Sequence, residues 1–362
     1  MLNSIKVLDL SRVLAGPLAT MTLGDLGASI IKVERPGSGD DTRGWGPPFD
    51  DRGESAYYLS VNRNKKSIAL DLNDATDRDI IARLAAGSDV VVDNFRVGTL
   101  ESRGIDPDAI LESNPRLIWC TITGFGESNP RAGYDLVVQA ESGWMSITGE
   151  PGRDPMKVGV ALADIIAGKD AVIAILAALV ARDSLAIEDR RIHISLSASA
   201  TAALINVAQN ALVTGHDAKR WGNQHPNLVP YQLFHASDRP MIVAVGSDSQ
   251  WKACAIALGL EDLAEDSSLA SNAGRLDQRH RVVDAVAARL RDGTAAEWIE
   301  KLDAAGVPCG TVKTVLEALR DADASPLTGI APSVPGSVRL PPPKLNEHGD
   351  EIRSKGWGSF DG

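Results

Sequence analysis

Five short apolar runs separated by helical patterns occupy the first 125 residues, and this alternation restricts the chain to an α/β architecture. The runs at residues 5–10, 29–33, 67–72, 89–93 and 117–123 each read as a buried strand. Pro17 suits a first helical turn and opens a helix to about residue 26, where Gly27 stops it. A charged helix is predicted around 77–86. Strands alternating with helices predict a mostly parallel sheet covered on both faces.

From Tyr134 the pattern turns helical over 135–142 and again from Asp164 to about 181, with a returning strand at 192–196 and a small-residue helix at 197–213. Residues 221–230 carry two prolines, two asparagines and Gly222, so a loop is expected there. A second unit begins near Tyr231, with strands at 241–245 and 308–312 and helices near 249–258, 275–291 and 294–305. The fold class is therefore α/β: a large Rossmann-like domain over 1–215, completed by a tail over 325–362, and a smaller α/β domain over 231–324. Residues 216–230 link the two as an active-site loop. The tail, with Pro341-Pro342-Pro343, is expected to run extended.

Charge and cysteine usage exclude several functions. With 48 acidic against 37 basic residues the net charge is −11, which repels nucleic acid and acidic membranes. Neither is an expected partner. Cys120, Cys254 and Cys309 are odd in number, widely spaced and without a metal-ligand neighbour, so neither disulfides nor a metal site is expected. The N-terminus shows no secretory pattern and no apolar run reaches roughly 18 residues. A cytoplasmic enzyme is the expectation.

Asp164 is the acid at the mouth of a helix that is apolar almost all round. It reads as an N-cap or as a nucleophile, and the roles are compatible: helix-end amides would keep a buried carboxylate ionised, able to attack an activated carbonyl. Those amides, or a loop carrying Gly149, Gly152 and Gly159, are candidates for an oxyanion site. At the strand ends stand Arg12, Glu34 and Arg35, then Asn94, Phe95, Arg96 and Arg103, where doubly wound sheets bind ligands. The G-x-G-x-x-G turn of dinucleotide enzymes is missing, and Arg35 suits a phosphorylated ribose. Arg63-Asn64-Lys65-Lys66 is a basic cluster that a phosphate-bearing ligand would use, or else a solvated turn. His225 lies in the loop with Gly222; no histidine forms a metal-spaced pair.

Several of these stretches together resemble CoA-transferase family III: residues 7–17, Gly24-Asp25-Leu26-Gly27-Ala28, residues 31–37, residues 62–68, Thr123-Gly124-Phe125-Gly126, Gly133-Tyr134-Asp135, the Asp164 segment, Tyr231-Gln232-Leu233-Phe234 and residues 306–310. The resemblance implies an interlocked homodimer, acyl-CoA and carboxylic acid substrates, and no cofactor apart from coenzyme A as a substrate. It places Asp164 at the nucleophile position, forming aspartyl anhydride and aspartyl-CoA thioester intermediates. Val13, Leu14, Ala15, Arg35, Asn94 and Phe95 match positions that line the CoA site, with Lys65, Lys66 and Arg103 in or beside such positions. Tyr134, Asp135, Gly222 and His225 are expected around the substrate. Tyr134 replaces the histidine of the family's racemases, and Leu14 replaces the glutamine of its formyl-CoA transferases. The combination of Val13-Leu14-Ala15-Gly16-Pro17, Arg43-Gly44-Trp45-Gly46-Pro47-Pro48 and Lys219-Arg220-Trp221-Gly222 most resembles the succinyl-CoA-dependent dicarboxylate transferases. An acyl-CoA racemase or isomerase and a non-catalytic CoA-binding protein remain as alternatives. Arg43, Arg131 and Arg153 are candidates for a second substrate carboxylate.

Overall fold

The computed structural model describes residues 1–361, which separate into two compact units. The first comprises Met1–Met145, Lys157–His216 and the chain from Ala322 onward; the second comprises Ser146–Met156 and Asp217–Asp321.

The first unit is built on six strands: β1 (Lys6–Asp9), β2 (Ser29–Glu34), β3 (Lys65–Ala69), β4 (Val90–Asp93), β5 (Ile118–Thr123) and β6 (Arg191–Ser195). They pair in the order β3-β2-β1-β4-β5-β6, every pairing parallel. The chain leaves β1 for one side of the sheet and returns to β4 on the other. That reversal opens a crevice at the carboxyl ends of β1 and β4, the usual ligand position in such sheets.

Both faces of the sheet are covered, which is why β4 is buried along its length. Val7, Val90 and Val92 face the first helix (Ala15–Asp25) and a long helix (Leu162–Ala181). Leu8, Ile31 and Val91 pack with Ile80, Ile81 and Leu84 on the other side. The long helix presents Ala163, Ala167, Ala171 and Ile175 at four-residue spacing, so its backbone comes close to its neighbours. Gly168 is the tightest point: a Cβ there would lie 2.7 Å from the Ala15 carbonyl oxygen.

Local details differ from the sequence expectations for identifiable reasons. β3 starts at Lys65, two residues early, so the basic cluster runs into the strand instead of preceding it. The charged helix begins at Ala75 because the Asp74 side chain accepts the Asp77 amide. The segment expected as one helix over 197–213 is two, Leu196–Ala202 and Ile205–Thr214, bent by 71°. No single helix among the described residues is long and apolar enough to cross a membrane; that bent pair passes by length and composition only. The tail carries a further helix, Gly349–Lys355, whose Ile352 is buried in the core on one face of the sheet, and then a 3-10 turn over Gly356–Phe360. Before it, the carbonyls of Leu340 and Pro343 accept bonds from the Asn64 amide and the Arg43 guanidinium.

The second unit has a three-stranded antiparallel sheet, β7 (Tyr231–His235), β8 (Pro240–Ala244) and β9 (Cys309–Thr311). Its core gathers Trp251, Val286 and Trp298.

Candidate active site

Asp164 is the third residue of the long helix, whose N-cap position is Ala161. It does not cap that helix. The free amide of Ala163 is taken instead by Asp135, whose Oδ1 accepts it at 2.9 Å. Asp135 Oδ2 accepts from Gln139 Nε2 at 2.7 Å, and Gln139 Oε1 in turn accepts the Val158 amide at 2.8 Å. The helix mouth is therefore satisfied without Asp164, whose carboxylate shares its cavity with Ala15 at the start of the first helix, and the amide there favours the ionised form. Two helix beginnings meet at one acid.

The sequence expectation is that helix-end amides keep this carboxyl ionised despite burial, and in the structure two effects oppose them. Burial, and then the negative charge of Asp135, push Asp164 up to about 7, with the Ala15 amide opposing them. Near neutral pH it is thus divided between acid and carboxylate. Tyr57, a residue the sequence did not flag, is pushed up to about 12 by burial and then by Asp164 and Asp135.

Two cavities lie along the carboxyl edge of the sheet. One, of about 220 Å³, contains Asp164 together with Val13, Ala15, Asn94 and Tyr134. The other, of about 260 Å³, is lined by Arg35, Arg103, Asp71 and Asn73 at the ends of β2 and β3. Arg12 and Phe95 border both. The Arg12 guanidinium sits 5.4 Å from the centre of the Phe95 ring. Asn94 ties the crevice together: its Oδ1 accepts the Arg12 amide at 2.9 Å and its Nδ2 donates to the Arg12 carbonyl at 2.7 Å. Arg35 is half exposed beside Asp41 at 3.7 Å. Arg103 reaches the side chain of Asn73.

Lys65 and Lys66, expected in or beside the CoA site, line neither cavity. Lys65 is fully buried and spends its ammonium on Asp9, the Pro17 carbonyl and Asn62, each at 2.9 Å. Lys66 pairs with Glu351 at 2.9 Å and lies over the Phe360 ring. Their neighbour Arg63 is bound to Asp25. The cluster binds the protein to itself. Leu14 is likewise turned away, buried with Met21 and Val61, and contributes through its place ahead of the first helix.

Of the three arginines considered for a second carboxylate, Arg43 is buried and held by Glu34, Glu54 and Tyr58. Arg131 borders the Asp164 cavity, paired with Glu141 at 2.7 Å and lying over Phe125. Arg153 belongs to the second unit, as do Gly222 and His225. There the Gly222 amide donates to the Gly149 carbonyl at 3.1 Å, and a side chain at this left-handed position would strike Glu150. The His225 ring lies 5.1 Å from that of Tyr231, and its Nδ1 accepts the Asn227 amide at 3.0 Å. Gly149 and Gly152 also fall in that unit, whereas Gly159 belongs to the first; the amide that favours the ionised form of Asp164 is that of Ala15.

Comparison with known proteins adds independent information. The family model described as CoA-transferase family III matches residues 2–332. Succinyl-CoA:glutarate CoA-transferase of Mus musculus is 40% identical over 370 residues, covering 96% of this chain and 84% of its own. Succinate–glutarate CoA-transferase of Agrobacterium fabrum is 36% identical over 378 residues, covering 97% of this chain and 94% of its own. A crystal structure of a CAIB/BAIF family protein from Brucella suis superposes with a TM-score of 0.84 at 38% identity, covering 97% of this chain and 98% of that one.

Proposed function

The chain belongs to CoA-transferase family III, and from that premise we propose that it moves CoA from succinyl-CoA to a second dicarboxylic acid, with Asp164 as covalent carrier. The observation that carries this reading is a half-buried carboxylate, lifted to about 7, in a cavity sharing a wall with another at the reversal of strand order. The named activities of the mouse and Agrobacterium relatives support succinyl and glutaryl groups as the substrate class.

The ionised Asp164 attacks the thioester carbonyl, the carbon–sulfur bond breaks, and CoA departs as thiolate, leaving a succinyl-aspartyl anhydride. The thiolate then attacks the Asp164 acyl carbon and expels succinate, giving an aspartyl-CoA thioester. The acceptor carboxylate attacks that thioester and frees the thiolate again. Attack of the thiolate on the acceptor's acyl carbon yields the new acyl-CoA and restores Asp164.

The raised basicity of Asp164 has consequences in two steps. In the first anhydride, succinate is the weaker base and the better leaving group, which directs the thiolate toward the aspartyl carbon. In the last step Asp164 itself must leave, and the Ala15 amide stabilises the departing carboxylate. Arg35, Arg103 and Phe95 border the second cavity, where the nucleotide end of CoA would be held and the thiolate kept at high effective concentration.

Exchange of labelled succinate into succinyl-CoA, with no other acid present, tests the reading. The unaltered protein should catalyse it and Asp164→Asn should not. Persistent exchange in that variant would remove Asp164 from the mechanism.

A further inference from the structure

The turn between β1 and the first helix is gripped at consecutive residues from different parts of the first unit. The Ser11 carbonyl accepts from Lys32 Nζ at 2.9 Å. Arg12 is held on both sides by Asn94. Val13 donates its amide to the Asp40 carboxylate, at 3.2 Å to Oδ1 and 3.3 Å to Oδ2. Ala15, two residues on, lines the same cavity as Asp164 and Val13, and its amide favours the ionised form of that carboxyl.

Val13 is the unusual member. Its φ is +72°, a left-handed backbone that a β-branched residue rarely adopts. Such a conformation persists only where its surroundings over-determine it, and it clusters at sites that need a particular backbone aim. Leu14 follows at φ −134° and ψ −61°, outside the regular regions, and the first helix begins directly after it. The strained pair is what turns the chain so that the first helical amide points at Asp164.

Asp40 is built to hold that turn. It is 1% exposed. Its Oδ2 lies 3.0 Å from Lys32 Nζ, while Oδ1 also takes the Thr42 amide at 3.0 Å and hydroxyl at 2.8 Å. Its own amide donates to Glu34 at 3.0 Å. Lys32 faces Asp9 as well, at 4.0 Å, and Asp9 is bound to Lys65. None of these groups touches the Asp164 carboxylate, yet the network ends one residue pair away from it.

We propose that Asp40, backed by Lys32, is a positioning residue for the transferase reaction: it locks Val13 in the left-handed turn and thereby aims the Ala15 amide at the Asp164 carboxylate. The inference rests on the proposed role of Asp164 as carrier, but its primary test does not depend on turnover. The readout is the titration of the Asp164 carboxyl followed by carbon-13 NMR, with its resonance identified by its loss in Asp164→Asn. Replacing the buried pair together, as Lys32→Met with Asp40→Ala, leaves no lone charge inside.

With the amide no longer aimed, the Asp164 midpoint should move to higher pH, and kcat for succinate exchange should fall roughly 10- to 100-fold, the scale of losing one donor to a developing charge. Adding Val13→Gly to the same background should bring both part of the way back, because glycine keeps a positive φ without help. Asp40→Asn, which preserves volume, is the second variant should the pair fail to fold; a smaller shift in the same direction is expected. An Asp164 midpoint unmoved in a folded variant overturns the proposal. So does a kcat loss that Val13→Gly does not relieve. Absence of exchange in the unaltered protein would instead sink the transferase reading, leaving the titration result to stand alone.

Discussion

Asp135 accepts the amide of Ala163 at 2.9 Å, which relieves Asp164, the next residue, of any duty as a helix cap. The division of labour matters chemically. One acid satisfies the helix mouth while the other is left protruding into the cavity, raised by burial and by its neighbour's charge.

The pH dependence of the reaction should carry this relationship. kcat/KM for succinyl-CoA should rise through about pH 7 as Asp164 ionises. Asp135→Asn keeps an acceptor for Ala163 but removes the charge, so the rising limb should move to lower pH. Asp135→Ala also forfeits the cap and should cost about 1 kcal/mol in a denaturation experiment. A limb that stays in place in Asp135→Asn would show that the neighbouring charge does not set the acidity.

Stability should respond at the same residue with a defined sign. The folded carboxyl binds its proton more tightly than the unfolded one, so its favourable contribution holds below roughly pH 4 and is lost as pH rises through about 7. Asp164→Asn, neutral throughout, escapes that loss. Its Tm should exceed that of the parent above about pH 8 and converge with it near pH 4, the gap corresponding to at most on the order of 4 kcal/mol. Equal Tm differences at every pH would contradict the raised value.

Gly168→Ala should injure both packing and reaction. The new methyl would sit 2.7 Å from the Ala15 carbonyl oxygen, and the first helix must retreat from the long helix to admit it. A loss of about 1–3 kcal/mol is expected from such overpacking, with a fall in kcat because the Ala15 amide retreats too. Unchanged kcat in a destabilised variant would separate the helix contact from the chemistry.

The nucleotide end should be sensitive to Arg35 and indifferent to Lys66. Arg35→Gln should raise KM for succinyl-CoA about tenfold, the effect of a loss near 1.4 kcal/mol in binding, with kcat little changed. The difference should narrow with the 3′-dephospho ester. Lys66→Gln should leave KM alone and lower Tm through the broken pair with Glu351. The reverse pattern would return the basic cluster to the ligand.

What was legible in the sequence divides by distance along the chain. Strands such as Val90–Asp93 are buried on both faces and announce themselves as apolar runs. Asp164 stood out as an acid opening an apolar helix. The order of strands is another matter, since β1 pairs with β4 across more than eighty residues and no local pattern encodes that. The same holds for the site's fine structure. The Asp135 cap acts across 28 residues and the Asp40 bond to Val13 across 27. The basic cluster at Lys65 and Lys66 looks free to meet a phosphate in the sequence, because its partners, Asp9 and Glu351, are brought to it only by the fold.

Trapping the intermediate tests the central claim most directly. Protein incubated with succinyl-CoA and quenched with borohydride should carry a reduced aspartyl thioester, read by peptide mass spectrometry as homoserine at position 164. A homoserine or a CoA adduct found at any other residue, or unmodified Asp164 under conditions of rapid exchange, would contradict the account.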